Sequence, residues 1–111
     1  MSEMTNVDAA RAQEMIQEGA LLLDVREDDE WDAGHAANAL HVALSSVPDV
    51  LGDLPRDRVI VCVCRSGGRS ARAGNFLTEQ GFDVVNLEGG MTAWRDSGLE
   101  LVSDEGEPAI I

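Results

Sequence analysis

The sequence predicts an α/β domain in which a mostly parallel sheet is covered by helices on both faces. Three observations carry that expectation. Residues 20–25, 58–63 and 83–87 are short runs dominated by apolar side chains, the pattern of strands buried on both sides rather than of half-exposed strands, which alternate. Segments with apolar residues at helical spacing lie between them. The length, 111 residues, suits one folding unit rather than two.

Taken in order, Asp8 can cap a first helix in which Ala12, Met15 and Ile16 share a face and which Gly19 stops. The strand at 20–25 follows. Residues 28–34 read as a short helix with Asp28, Asp29 and Glu30 at its positive end and Gly34 at its exit. Residues 39–42 make a weaker strand, and 46–51 a helical turn with Pro48 in its first turn. The clearest strand, at 58–63, is β-branched and apolar and runs straight into Cys64-Arg65-Ser66-Gly67-Gly68-Arg69-Ser70. A helix to about Gln80 turns Ala73, Phe76 and Leu77 inward and ends at Gly81. After the strand at 83–87, Gly89-Gly90 opens a last helix with Met91 and Trp94 on one side and Gly98 at its close. Residues 1–102 form the expected domain, and 103–111 an acidic, flexible tail.

Composition narrows the function classes. With 44% hydrophobic and 26% charged residues, wholesale disorder is excluded. No apolar run approaches the ~20 residues that span a bilayer, and Met1-Ser2-Glu3-Met4 shows no secretory leader. Two cysteines one residue apart are not the framework of a secreted disulfide protein. A soluble, cytoplasmic protein is expected. The net charge of −13 argues against nucleic acid and anionic membranes as partners, since both require a basic face. All eight basic residues are arginines, and Arg65, Arg69 and Arg72 form the one basic cluster. A Debye length of ~8 Å lets such a patch attract a small anion despite distant carboxylates.

Cys64 stands at the carboxyl end of the best strand, where open α/β sheets place their ligands. A glycine-containing loop before a helix can turn successive backbone N–H groups inward as an anion-binding nest, and the helix start adds partial positive charge. Gly67 and Gly68 permit the tight curl, and Arg65 and Arg69 bring full charges close. Each of these favours thiolate over thiol, which makes Cys64 a candidate nucleophile.

This loop resembles the active-site loop of rhodanese-like sulfurtransferase domains. The likeness continues in Asp24-Val25-Arg26-Glu27, Glu30-Trp31 and Gly34-His35, similar to the family's first signature, and in Leu87-Glu88-Gly89-Gly90-Met91-Thr92-Ala93-Trp94, similar to its last. The resemblance implies a rhodanese-like fold around a central, mostly parallel five-stranded sheet with helices on both faces. It implies that Cys64 takes the outer sulfur of thiosulfate or a similar donor as a persulfide and passes it to cyanide or a thiol. It implies that the amides of Arg65, Ser66, Gly67, Gly68 and Arg69 hold the persulfide charge, and that the Arg65 and Arg69 side chains orient the donor. No cofactor and no metal is called for. A protein sulfur acceptor, with the chain as a carrier in a relay, stays open. One departure is that the family's usual Ile-Pro-Gly-Ala after Gly34-His35 is here Ala36-Ala37-Asn38-Ala39. Asn38 is expected to keep that turn because asparagine tolerates left-handed backbone.

Plainer readings compete with these. A merely structural Cys64 fits poorly with its glycine- and arginine-rich sequel, whereas Cys62, inside the strand, reads as core. Zinc binding is disfavoured by C-x-C spacing without a second ligand pair. His35 is assigned to a turn and His41 to a strand, and neither to the site. Arg26 and Glu30, four apart, are expected to pair, and Asp24 to bond neighbouring loop amides. Trp31, Phe76 and Trp94 read as core, while Met91 is left open between core and pocket mouth. A phosphatase or arsenate reductase would show C-x5-R, but Arg69 stands at C-x4-R and the next position is Ser70. A non-enzymatic binding module would not need Cys64.

Overall fold

A computed structural model describes residues 4–104 and 106–111. Met1–Glu3 and Glu105, assigned above to the opening segment and the acidic tail, lie outside the described residues. The chain runs β1 (Thr5–Val7), α1 (Ala9–Gln17), β2 (Leu21–Asp24), α2 (Asp28–Ala33), β3 (Leu40–His41), a 3-10 helix (Leu44–Asp53), β4 (Ile60–Val63), α3 (Gly68–Glu79), β5 (Val84–Leu87) and α4 (Gly90–Asp96). The strands form one sheet in the order β1-β5-β4-β2-β3, and every neighbouring pair is parallel. The expected α/β architecture is therefore present.

Strand alternation sorts the core into two layers, because successive side chains leave a strand on opposite faces. Ile60, Cys62 and Cys64 pack with Leu23 and Val25 against Ala73 and Leu77 of α3 and Val47 of the 3-10 helix. Val61 and Val63 pack with Leu22 and Leu87 against Ala9 and Ala12 of α1 and Met91 and Trp94 of α4. Met91 is fully buried there, which places it in the core rather than at a pocket mouth. Among the described residues, no helix is long and apolar enough to cross a membrane.

Most local signals hold. Asp8 caps α1, its side chain accepting from the Arg11 amide at 2.8 Å. Several expectations change. β1 has no counterpart among the expected elements: Thr5 and Asn6 are exposed and the strand has only three residues, yet it pairs in register with β5. The 3-10 helix begins at Leu44, so Pro48 lies in its interior, not its first turn. A 3-10 ladder tolerates this without the clash of an α-helix interior. Residues 37–38 do form a turn, but no described non-glycine residue has positive φ, so Asn38 does not supply left-handed backbone. Trp31 is only half-buried, stacked between the rings of His35 (centroids 3.6 Å apart) and His41 (4.8 Å).

The segment after Ser103 returns to the body. The Ala109 amide donates to Ala33 O at 2.8 Å, and Ile110 is buried beside Ala36 and Trp94. Gly34 makes room for it, since a Cβ there would sit 2.5 Å from Ala109 O.

Candidate active site

β4 delivers Cys64 to the carboxyl edge of the sheet and α3 starts four residues later. The loop closes on the sulfur. The Gly67 amide donates to Cys64 Sγ at 3.1 Å and the Ser70 hydroxyl lies 3.3 Å from it. Gly67 caps α3 with φ +119°, a conformation that costs a side-chain-bearing residue about 1–2 kcal/mol and that turns its N–H toward the sulfur. Burial of Cys64 opposes ionisation. It is outweighed by hydrogen bonds from the Ser70 hydroxyl and from the Ser70, Gly67 and Ser66 amides, which hold the thiol below its ordinary range. Cys62, one turn of the pleat earlier, is wholly buried; burial first, and then the neighbouring Cys64 charge, push its thiol up to about 12. It is a free thiol within the core, as expected.

A polar network behind the sulfur was not anticipated. Ser70 Oγ lies 2.6 Å from Asn86 Oδ1, and Asn86 Nδ2 donates to Asn6 Oδ1 at 3.0 Å. Sheet register explains it: Asn6 pairs with Asn86 and Asn86 with Cys62, so these side chains share the α3 face. A signal was present, because Asn86 interrupts an otherwise apolar strand, and a buried amide must find partners.

The loop's own residues divide. Arg65, Ser66 and Gly68 are exposed; Gly67 and Arg69 are half-buried, and Ser70 is buried. The Gly89-Gly90 turn clamps the loop from behind. The Met91 amide donates to Cys64 O at 2.8 Å and the Thr92 amide to Arg65 O at 3.1 Å. Gly90, at φ +61°, presses its backbone against Cys64 O and Arg65 O so closely that a Cβ would overlap both. This is a physical role for the Glu88-Gly89-Gly90 signature.

The ion pairs differ from those expected. Arg26 does not pair with the Glu30 carboxylate. It precedes α2 rather than lying within it, so the four-residue spacing has no helical meaning. Its guanidinium turns inward onto Asp24, with Nη2 2.8 Å from Oδ2, and both side chains are fully buried. Asp24 also accepts from the Arg26 amide at 3.0 Å, which is the loop-amide contact foreseen for it. Arg26 donates further to Glu30 O within α2 and to Gly34 O at its C-cap, anchoring the helix. Glu30 instead takes Arg69 in a bidentate pair at 2.6 and 2.8 Å. The Arg69 hydrogen bonds lead in holding the Glu30 carboxyl down at about 2. His35 and His41 donate ring N–H groups to Trp31 O and Arg26 O and do not reach the sulfur loop. Among the described residues, no cluster of His, Cys, Asp or Glu is arranged to hold a metal ion.

Comparisons with known proteins point to one family. The family model described as "Rhodanese-like domain" matches residues 8–97. A putative sulfurtransferase, YtwF, of Bacillus subtilis is 40% identical over 94 residues, covering 83% of this chain and 91% of that protein. The thiosulfate sulfurtransferase GlpE of Pseudomonas syringae is 32% identical over 96 residues, covering 86% of this chain and 91% of the relative. Among solved structures, a rhodanese-related protein from Thermoplasma volcanium superposes with a TM-score of 0.83 at 34% identity, covering 88% of this chain and 97% of that one. The chain therefore belongs to the rhodanese-like domain family, with named sulfurtransferases among its relatives.

Proposed function

We propose that the protein is a sulfurtransferase that carries sulfane sulfur on Cys64, taking it from thiosulfate or a similar donor and passing it to a thiophilic acceptor such as cyanide or a thiol. The observation that supports this reading most is the Cys64 sulfur itself, which meets the Gly67 amide and the Ser70 hydroxyl at the head of α3. Donors fixed in advance around a sulfur stabilise negative charge there without reorganising. They suit a thiolate and equally a persulfide one atom longer.

In the first half-reaction the Cys64 thiolate attacks the outer sulfur of the donor. An Sγ–S bond forms, the donor's S–S bond breaks, and sulfite leaves with the electron pair. In the second, the acceptor attacks the terminal sulfur and Cys64 leaves as thiolate, ready for the next donor. Cys64 is the nucleophile, the amides of residues 65–69 receive the terminal sulfur's charge, and Arg65, at the exposed rim, draws in the anion. The position that would carry the arginine of C-x5-R is Ser70, buried and turned to Cys64 and Asn86. The phosphatase reading is therefore the weaker one.

Intact mass spectrometry after incubation with thiosulfate tests the proposal. One added sulfur is expected, lost on adding cyanide and absent in Cys64→Ser. An unchanged mass together with hydrolysis of p-nitrophenyl phosphate would overturn it. Sulfur gained from a partner protein's persulfide but never from thiosulfate would make the chain a relay carrier instead.

A further inference from the structure

Two arginines of the loop stand in different electrostatic states. Arg65 is exposed and, among the described residues, has no carboxylate within ion-pair distance. Arg69 is clamped, with both terminal nitrogens on the two carboxylate oxygens of Glu30, whose side chain is only 13% exposed against 33% for Arg69. The carboxylate is held in turn. The Glu27 amide donates to Glu30 Oε1 at 3.0 Å, and α2 is anchored by Arg26 on the buried Asp24. Such a fork-to-fork pair carries no net charge. It nevertheless stands beside the sulfur loop: Arg69 lies in the first turn of α3, next to Ser70, whose hydroxyl is 3.3 Å from Cys64 Sγ, and the charge on Cys64 adds, after Glu30, to the hold on its proton.

We infer that Glu30 is a specificity-determining residue: by cancelling the charge of Arg69 beside Cys64, it biases the pocket away from dianionic donors such as thiosulfate and towards singly charged persulfides, R–S–S⁻. The inference rests on the Cys64 persulfide reading above and deepens it. A thiolate meeting a dianion gathers three negative charges, and a thiolate meeting a persulfide gathers two. The groups that meet the sulfur are a neutral amide and one hydroxyl, and of the two loop arginines Arg65 alone has, among the described residues, no carboxylate partner. Each uncompensated charge in a partly desolvated site raises the cost of encounter. With a persulfide donor the atoms and electrons balance without a co-reactant. Cys64 Sγ bonds the outer sulfur, the S–S bond of the donor breaks, and its electron pair leaves on RS⁻.

The test uses the full chain and measures the second-order rate of loading one sulfur onto Cys64, by quenched intact mass, with thiosulfate and with cysteine persulfide. The pair is neutral in the parent, carries one positive charge in Glu30→Gln, one negative charge in Arg69→Ala, and is neutral again in the double variant. Thiosulfate loading should rise about tenfold in Glu30→Gln, fall about tenfold in Arg69→Ala, and return to near the parent rate in the double variant. Persulfide loading should move the same way but less, so that the ratio between donors changes. A double variant as slow as Arg69→Ala would mean that Arg69 touches the donor itself and Glu30 only holds it, which overturns the inference. Equal changes for both donors would overturn it too. If Glu30→Gln does not fold, Arg69→Ala and Arg69→Glu continue the same charge series, and thiosulfate loading must fall in two steps; one step alone refutes the idea. Failure of any form to gain sulfur from either donor would instead sink the Cys64 persulfide reading.

Discussion

Replacing Ser70 by alanine isolates the one side-chain donor on the sulfur among the described residues. Ser70 Oγ lies 3.3 Å from Cys64 Sγ, 3.2 Å from Gly67 O and 2.6 Å from Asn86 Oδ1, and it has one proton to give. With Cys64 protonated, the short contact to Asn86 Oδ1 takes that proton; with Cys64 ionised, the charged sulfur competes for it. The stabilisation of the thiolate is therefore a charge-assisted bond, about 1.5–3 kcal/mol, less the neutral bond given up, about 1 kcal/mol. A difference of about 1.4 kcal/mol changes the thiolate population about tenfold. The pH dependence of alkylation by iodoacetamide reads this directly, since the Cys62 thiol is pushed up to about 12 and stays protonated where Cys64 ionises. In Ser70→Ala the profile should move to more alkaline pH, with about tenfold slower alkylation below the midpoint and an unchanged limiting rate above it. Ser70→Thr, which keeps the hydroxyl, should restore the parent curve. Superimposable curves for parent and Ser70→Ala would show that the hydroxyl stays committed to Asn86, and that the backbone amides alone account for the lowered thiol.

Three further outcomes follow from the packing. Gly90→Ala places a Cβ against Cys64 O and Arg65 O at positive φ and dislodges the Met91 and Thr92 amides, at a cost of about 3–4 kcal/mol. Its melting temperature should drop by roughly 15 °C, and a drop under about 4 °C would contradict the clamp. Asp24→Asn leaves the buried Arg26 guanidinium without a counter-charge and should cost about 3–5 kcal/mol in urea unfolding; a loss below about 1 kcal/mol would mean that water or another group replaces the carboxylate. Ile110→Ala should cost about 2 kcal/mol if residues 106–111 belong to the folded unit as their contacts indicate, and nothing measurable if they do not.

How much of this could be read in advance depended on distance along the chain. β2, β4 and β5 and the helices between them were legible because apolar runs, helical spacing and a capping Asp8 act over a few residues. The Cys64 loop was legible for the same reason, since nucleophile, glycines and helix start are consecutive. β1 was not: three residues, two of them exposed, become a strand only because β5 offers an edge in register some 80 positions away. The partners of the site were not legible either. Spacing paired Arg26 with Glu30, whereas the buried Asp24 claims Arg26 and the distant Arg69 claims Glu30. Asn86 and Asn6 reach the sulfur's neighbour only through sheet register, and the acidic tail finds its groove only once Gly34 has left room for Ala109. By itself the sequence determined that this chain would be a parallel α/β domain with a thiol set at the end of its best strand, because short-range sterics and burial decide those features. Which side chains neutralise, donate to or clamp that thiol was decided by tertiary structure, because hydrogen bonds and ion pairs act over about 3 Å between groups that only the packed sheet and helices bring together.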